Sequence, residues 1–232
     1  MSSSDVTVVL AHGAWADGSS WAKVISSLAA EGIIKVVAAP LPLTSFGDDV
    51  AALEWTLGRV TGPVVLAGHA YAGAVIGATR NEKVRALVYV AALAPDEGET
   101  VADVFYRTEP HPQAPKLAPD DHGLIYLPEA AFAAAFAQHA SDEEQTLLAA
   151  VQRPISPACI TVAVDRPLWK DRPSWFLVAE EDRMIAPETQ RFMATRMKAR
   201  VRSHQVDHTP IVTAPGVVVE IIRDAVHDVV MR

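Results

Sequence analysis

The chain has 232 residues, of which 50% are hydrophobic and 21% charged, a balance that excludes a disordered tail, a fibre or a coiled coil. A folded chain of this length buries about 70% of its extended surface, enough core for one domain that carries an insertion. Its 20 basic and 28 acidic residues give a net charge of −8, which would repel a nucleic-acid backbone and argues against such a partner.

Strands and helices are predicted to alternate through the first 95 residues. The apolar, β-branched run at 5–11 stops at His12 and Gly13, as a strand buried on both faces does. A helix capped by Ser19 or Ser20 follows and ends at Gly32. The remaining elements of this part are strands at 33–39, 63–67 and 84–91 and helices at 48–60 and 74–79.

The alternation stops after Ala94 and resumes only near residue 166. We therefore predict a cap insertion over residues 96–165, within one domain whose core is residues 1–95 and 166–232. The cap is expected to contain helices at 128–139 and 141–151. The core then continues with strands at 174–179 and 201–206 and helices at 187–198 and 216–229.

This order of elements predicts the fold class. Strands that alternate with helices pair in parallel, because each crossover returns the chain to the same end of the sheet. We expect an α/β fold with a doubly wound, mostly parallel sheet and helices on both faces. Such sheets bind ligands at the carboxyl ends of their strands, which here are the loops after Ala11, Ala67, Ala179 and Val206.

The loop after the third strand contains a cluster of small residues. It reads GHAYAG at 68–73 and joins a buried strand to a helix, the context of a nucleophile elbow, whose usual pattern is Gly-x-Ser-x-Gly. Alanine stands at position 70 where the pattern has serine, and the second glycine comes one position later, at Gly73. Small neighbours fit a tightly strained turn, so the pattern predicts the elbow without its hydroxyl.

Four stretches together resemble one known family. They are HGAWADGSSW at 12–21, GHAYAG at 68–73, DRMI at 182–185, and His208 followed by Pro215. The sequence resembles the small α/β hydrolases that include plant methyl-ester esterases, hydroxynitrile lyases and many bacterial esterases. The resemblance covers nearly the whole chain and is weakest at 96–165.

The resemblance implies a role for several residues of this chain. The nucleophilic serine falls on Ala70, the acid on Asp182 and the base on His208, in the chain order of that fold. The oxyanion donors fall on the backbone N–H groups of Ala14 and Tyr71. Where the family usually has serine this chain has alanine, which puts covalent catalysis in doubt.

Each assignment has a competing interpretation. Glu180 and Glu181 compete with Asp182 as the acid, and His204 competes with His208 as the base. We favour Asp182 because Ile185 and Pro187 follow it as in the family, and His208 because a loop after a strand can carry its ring to the elbow.

The loops also contain candidates for substrate binding. His12 and Gly13 either end a strand or aim the Ala14 N–H at an oxyanion. Trp15 and Trp169 are predicted to contact substrate, although aromatic residues at strand ends also pack as core. The aromatic residues of the later region favour an apolar acyl or aromatic group, or form a core of their own: Phe105, Tyr106, Tyr126, Phe132, Phe136 and Trp169.

An alanine at position 70 excludes the acyl-enzyme route, since alanine has no attacking atom. No serine or threonine lies on the elbow, and the Tyr71 hydroxyl is expected to point along the helix away from it. The other hydroxyls considered lie off the elbow: Ser2, Ser3, Ser4, Ser19, Ser20 and Thr209. Either serine was replaced deliberately or the natural protein has alanine. Three functions follow: an esterase-type hydrolase of small esters or acyl compounds with an inactivated nucleophile, a cofactor-free lyase or general-base enzyme using His208 and Asp182, or a non-catalytic binding protein.

No cofactor is expected, because the glycine spacing fits neither a dinucleotide loop nor a phosphate loop. The single cysteine, Cys159, allows neither a disulfide nor a thiolate zinc site and reads as a small buried hydrophobe. Residues 1–11 lack the pattern of a signal peptide or a membrane span. We therefore expect a cytoplasmic protein with a small-molecule partner and neither nucleic acid nor membrane; a homodimer is compatible with the sequence.

Overall fold

The structure is a computed structural model and describes residues 5–33 and 35–232. Within these residues a six-stranded parallel sheet has the order β2-β1-β3-β4-β5-β6. The strands are β1 (Thr7–Ala11), β2 (Val36–Ala39), β3 (Val64–His69), β4 (Val84–Val90), β5 (Ser174–Ala179) and β6 (Arg200–His204). This arrangement confirms the doubly wound α/β fold predicted from the sequence.

Helices connect the strands and cover both faces of the sheet. They are α1 (Ala22–Ala30), α2 (Phe46–Arg59), α3 (Ala72–Ala78), α4 (Val101–Phe105), α5 (Glu129–Ala131), α6 (Asp142–Val151), α7 (Pro187–Arg196), α8 (Pro210–Thr213) and α9 (Pro215–Met231). Strands β1, β3 and β5 are buried along their whole length, as expected for parallel strands covered on both faces.

The strand order places two loops side by side. The chain leaves β1 outward to β2 and then returns to the other side of β1 as β3, so the winding direction reverses between β1 and β3. At this point Ala11 pairs with Gly68. A crevice opens outside the strand ends where the strand order reverses, and here the crevice lies between the loop after β1 and the loop after β3.

Near the N-terminus two predicted boundaries are wrong. Neither Ser19 nor Ser20 caps α1: Asp17 caps a short 3₁₀ turn at Gly18–Trp21 by accepting the Ser19 amide, and α1 follows this turn without a side-chain cap. The strand predicted at 33–39 begins at Val36, since the Ile33 amide still bonds to the Leu28 carbonyl at the end of α1. Ile34 lies outside the described residues.

Three later boundaries also differ from the prediction. The helix predicted at 128–139 is α5 followed by a π-helical turn at Phe132–Phe136, which leaves the carbonyls of Ala134 and Phe136 free to accept Arg183 and Thr209. The strand predicted at 201–206 ends at His204. The last helix is preceded by the separate short helix α8.

Residues 96–165 contribute no strand to the sheet within the described chain. Their two ends lie together, because the Gly98 amide bonds to the Val164 carbonyl and the Val164 amide to the Glu99 carbonyl. The segment therefore leaves the core and returns at the same place, above the strand ends. Among the described residues, no helix is both long enough and apolar enough to cross a bilayer.

Candidate active site

The turn between β3 and α3 holds Ala70 in a strained conformation. Its φ is +50°, in the left-handed region that costs a residue with a Cβ about 1–2 kcal/mol. Three backbone hydrogen bonds hold it there: its amide donates to Val90 at 3.2 Å, and its carbonyl accepts from Gly73 at 3.1 Å and Leu93 at 3.0 Å. The strained turn predicted from the sequence is therefore present.

Close backbone contacts explain the glycines of this turn. A Cβ on Gly73 would lie 2.3 Å from the Leu93 carbonyl oxygen, and one on Gly68 would lie 2.9 Å from the Ala72 carbonyl oxygen. Neither oxygen belongs to a side chain that can rotate away. These contacts bring the turn against the strand that follows it, and they require residues without a side chain.

Asp182 and His208 form a buried hydrogen-bonded pair. The Nδ1 of His208 lies 2.8 Å from the Oδ2 of Asp182, and both side chains are almost fully buried. A carboxylate oxygen accepts, so Nδ1 carries the proton and Nε2 has the free lone pair of a base. Within the described chain no group hydrogen-bonds to Nε2.

The competing acids and the competing base lie elsewhere. Glu180 pairs with Arg191 and accepts the Ser203 hydroxyl, and Glu181 pairs with the exposed His139 at 2.9 Å. His204 is half-buried at the end of β6. Of these candidates, only Asp182 meets His208.

Two residues that line the same space have backbone N–H groups without a partner in the described chain. Ala14 and Tyr71 both line the cavity that Ala70 and His208 line, and their amides make no hydrogen bond within the described chain. A Cβ on Gly13 would lie 3.0 Å from the Ala70 Cβ, so the two loops are in contact. Unpaired amides at such a place can stabilise a negatively charged oxygen.

The cavity is narrow, with a volume of about 80 Å³. No Asp, Glu, Lys or Arg side chain lines it, and neither does any serine or threonine of the described chain; Ser2, Ser3 and Ser4 lie outside the described residues. Half of its wall comes from residues 96–165: Val101, Ala102, Phe105, Tyr106, Leu117, Ile125, Ile155 and Ile160. A charged ligand would lose its hydration here without gaining a counter-charge.

Of the three residues predicted to bind substrate, only Trp15 lines the cavity. Its indole N–H donates to the Ile125 carbonyl at 2.9 Å and leaves the ring against the apolar wall. Trp169 does not line this cavity and packs beside Gly77 and Arg196.

His12 does not line the cavity either. Its Nε2 accepts the Leu41 amide at 3.1 Å and its Nδ1 lies 3.0 Å from the Gly13 carbonyl, so the fully buried ring holds the loop in place. Burial is the largest cause lowering the pKa of His12. The ring is therefore a neutral structural group.

Three polar residues near the site were not identified from the sequence. His69 donates from Nε2 to the His208 carbonyl at 2.7 Å, and burial lowers the pKa of His69 to about 3, so it stays neutral. Asp49 accepts the Tyr71 hydroxyl at 2.7 Å. Gln190 donates to Asp182 at 2.8 Å. Of these three, only His69 is part of a sequence motif, the elbow at 68–73. Asp49 lies in α2 and Gln190 in α7, and neither helix contains a motif that would have marked the residue.

The Asp49 contact also corrects the environment expected for Cys159. The thiol is buried as predicted, but it lies 3.6 Å from the Asp49 carboxylate rather than among apolar groups alone. Burial, followed by the nearby carboxylate, raises the pKa of Cys159 to about 12. The thiol is therefore not a nucleophile at neutral pH. Within the described residues no group of histidine, cysteine and acidic side chains is arranged to hold a metal ion.

Comparison with known families gives one match. A family model described as the alpha/beta hydrolase family matches residues 8–221, which include every residue placed around the cavity. No curated protein matches the chain.

Several solved structures are similar to this chain in fold. A pyrethroid hydrolase from Sphingobium faniae JZ-2 matches with a TM-score of 0.81 at 21% identity, covering 98% of this chain and 100% of its own. A polyneuridine aldehyde esterase matches with a TM-score of 0.77 at 20% identity, covering 95% and 98%. A methylesterase, MES16 from Arabidopsis, matches with a TM-score of 0.77 at 15% identity, covering 96% and 99%. At these identities the similarity concerns the fold.

Proposed function

The chain belongs to the alpha/beta hydrolase family, and from that premise we propose that it has the catalytic site of a carboxylic-ester hydrolase with Ala70 at the nucleophile's position. In this proposal Asp182 and His208 are the acid and the base. The amides of Ala14 and Tyr71 are the oxyanion donors. As the chain stands, it is impaired in covalent ester hydrolysis.

One observation carries the proposal: three separate loops meet at one cavity around Ala70. The cavity is lined by Ala14, Ala70, Tyr71 and His208, and the amides of Ala14 and Tyr71 make no hydrogen bond within the described chain. The backbone at Ala70 has the strained φ of a nucleophile elbow, although the methyl group of alanine cannot act as a nucleophile. The solved structures similar in fold include proteins named as esterases and hydrolases, which agrees with this reaction class.

The chemistry follows from what each group can do. With a hydroxyl at position 70, Nε2 of His208 would take its proton while the oxygen attacks the ester carbonyl. Asp182 would stabilise the resulting imidazolium, and the two amides would bind the oxyanion. Without the hydroxyl no acyl-enzyme forms, and loss of such a nucleophile lowers kcat by roughly two-million-fold.

The cavity wall supports a neutral substrate with an apolar acyl or aromatic group. Charged side chains are absent from the wall within the described chain, and aliphatic and aromatic groups of residues 96–165 make up half of it. We propose that this segment is a cap that shapes the pocket. A carboxylate-bearing ester would enter only at the cost of its hydration.

The decisive experiment restores the hydroxyl. The Ala70→Ser variant is expected to hydrolyse short p-nitrophenyl esters and to be labelled by a fluorophosphonate, while the unaltered chain does neither above background. An Ala74→Ser variant, two residues into α3 and absent from the cavity wall, controls for a new hydroxyl nearby. Failure of both assays in a folded Ala70→Ser variant would refute the esterase assignment.

A second candidate is favoured by the free Nε2 of His208. In the unaltered chain His208 lines the cavity together with Ala14 and Tyr71, whose amides are unpaired within the described residues, an arrangement that suits general-base catalysis on water or on a substrate proton. Turnover by the unaltered chain that disappears in His208→Ala would select this function. Tight ligand binding that survives His208→Ala, with no turnover even after Ala70→Ser, would select a binding protein.

A further inference from the structure

Gln190 is a fully buried polar side chain on α7 that contacts the acid directly. Its Nε2 donates to Asp182 Oδ2 at 2.8 Å and to the Ile185 carbonyl at 2.9 Å. Its Oε1 accepts the Ala179 amide at 3.0 Å. Both ends of the side-chain amide are therefore used, in a place where an unpaired polar group would be costly.

The hydrogen bonds of Asp182 show what Gln190 adds. Oδ1 accepts the amides of Met184 and Ile185, each at 2.8 Å. Oδ2 accepts only two side chains, His208 and Gln190. The bonds at Oδ1 anchor one oxygen but leave the carboxylate free to pivot about it, and the bond from Gln190 opposes that pivot at the oxygen that faces the imidazole.

Gln190 also fixes the loop that carries Asp182. Ala179 is the last residue of β5 and Ile185 lies beyond the acid, so one side chain ties both ends of the loop to α7. A primary amide does this at any pH, because it supplies a donor for Asp182 and an acceptor for Ala179 at once. A glutamate lacks the donor when ionised, and methionine lacks both groups.

We propose that Gln190 is a positioning residue that holds the Asp182 carboxylate in line with Nδ1 of His208. The catalytic part of this proposal rests on the proposed function, because His208 acts as a base only in that function. Its structural content, a shorter and better protected Asp182–His208 hydrogen bond, exists in the unaltered chain.

The first test needs no catalysis. In nitrogen-labelled unaltered protein, the His208 Nδ1 proton is expected as a strongly deshielded NMR signal protected from solvent exchange. Gln190→Met, similar in volume but without hydrogen bonds, should move this signal upfield and speed its exchange with solvent, because the Asp182 carboxylate loses one of its two partners at Oδ2. An unchanged signal in a folded Gln190→Met variant overturns the proposal.

Gln138 provides the matched control. Its Nε2 donates to the Glu181 carbonyl at 2.7 Å, on the same loop but without contact to Asp182. Gln138→Met should leave the His208 signal and its exchange unchanged. An equal effect in the two variants would mean that any lost bond on this loop disturbs the site, and would overturn the specific role of Gln190.

The second test is kinetic and uses the Ala70→Ser background. Adding Gln190→Met should lower kcat by about ten- to a hundredfold with little change in KM, because the base is misaligned while the pocket is intact. Adding Gln190→Glu should give a loss that grows as the pH rises, since a protonated carboxyl still donates to Asp182 and an ionised one repels it. A uniform loss at all pH values in Gln190→Glu, or a change in KM alone, contradicts positioning.

The two tests separate this proposal from the proposed function. If Ala70→Ser is inactive, the NMR comparison still decides whether Gln190 orders the pair. If Ala70→Ser hydrolyses esters and the Gln190 variants match it in both kcat and the NMR signal, only the role of Gln190 is refuted.

Discussion

The two halves of the site are built differently. The half formed by Asp182 and His208 is held by side-chain and backbone donors, with four hydrogen bonds on the Asp182 carboxylate alone. The half formed by the elbow is held by backbone bonds and by the absence of side chains at Gly68 and Gly73. In the first half both proposed catalytic side chains are present and paired, whereas in the second the strained turn is present and position 70 has a methyl group where the proposed nucleophile would be.

This difference indicates that the backbone geometry of the elbow can form without a nucleophilic side chain at position 70. The elbow's strain comes from backbone contacts with Leu93 and Val90, which do not depend on the side chain at position 70. Substitutions in the first half are therefore expected to cost rate, and substitutions in the second half to cost stability. Three predictions test this contrast, beginning with the largest effect.

Removing the base should abolish a restored activity without unfolding the protein. In the Ala70→Ser background, His208→Ala is expected to lower kcat by about a million-fold and Asp182→Asn by about ten-thousand-fold, the losses typical of a base and an acid in such a triad. Steady-state kinetics with a p-nitrophenyl ester measure it. His139→Ala, which removes only an exposed partner of Glu181, is the control; a residual rate within tenfold of the parent would show that His208 is not the base.

Adding one methyl group to the elbow should cost stability. Gly73→Ala places a Cβ against the Leu93 carbonyl and the Ala92 side chain, and because backbone must move we expect about 3 kcal/mol or more of destabilisation. Urea unfolding measures the change. Gly58→Ala, exposed in α2 with nothing within 4 Å, should instead be neutral or stabilise by about 0.5–1 kcal/mol. Equal stability in Gly73→Ala and the parent would contradict the packing described for the elbow.

His69 joins the two halves and should make the fold sensitive to acid. Its folded-state pKa is about 3 against 6.5 in the unfolded chain, so below pH 6.5 only the unfolded chain binds the proton. Stability is then complete above pH 6.5 and falls by roughly 2–3 kcal/mol on going to about pH 4.5. The lowered pKa of His12 acts in the same direction.

Urea unfolding at the two pH values checks this prediction. The pH-dependent loss should be smaller in His69→Gln, which can still donate to the His208 carbonyl. The exposed residue His122 supplies the control, since His122→Gln should lose as much stability in acid as the parent. If His69→Gln loses as much as the parent, His69 is not held neutral by the fold.

Much of the fold was predictable because it depends on short-range patterns. Apolar runs such as 5–11 and 63–67 predicted the buried strands, and their alternation with helices predicted that the strands pair in parallel. The least accurate predictions came where a backbone group bonds outside its own element, as in the π-helical turn at Phe132–Phe136. The cytoplasmic location and the cap boundaries stay predictions.

The candidate site was predictable only where a motif marked it. Ala70, Asp182, His208, Ala14 and Tyr71 were all proposed from motif positions, and the cavity walls include four of them, with Asp182 behind His208. His12 and Trp169 do not line the cavity: a residue's position near a strand end does not reveal which way its ring points. Gln190 and Asp49 carry no local pattern and were missed.

The amino-acid sequence by itself determined the order of strands and helices and the small residues at the elbow, because hydrophobic periodicity and steric limits act over a few neighbouring residues. Only the tertiary structure decided which distant side chains meet: Gln190 with Asp182, His69 with the His208 carbonyl, and Asp49 with Tyr71. These pairings depend on how crossovers stack strands and helices from separate parts of the chain, and a polar group buried by that stacking must find its partner there.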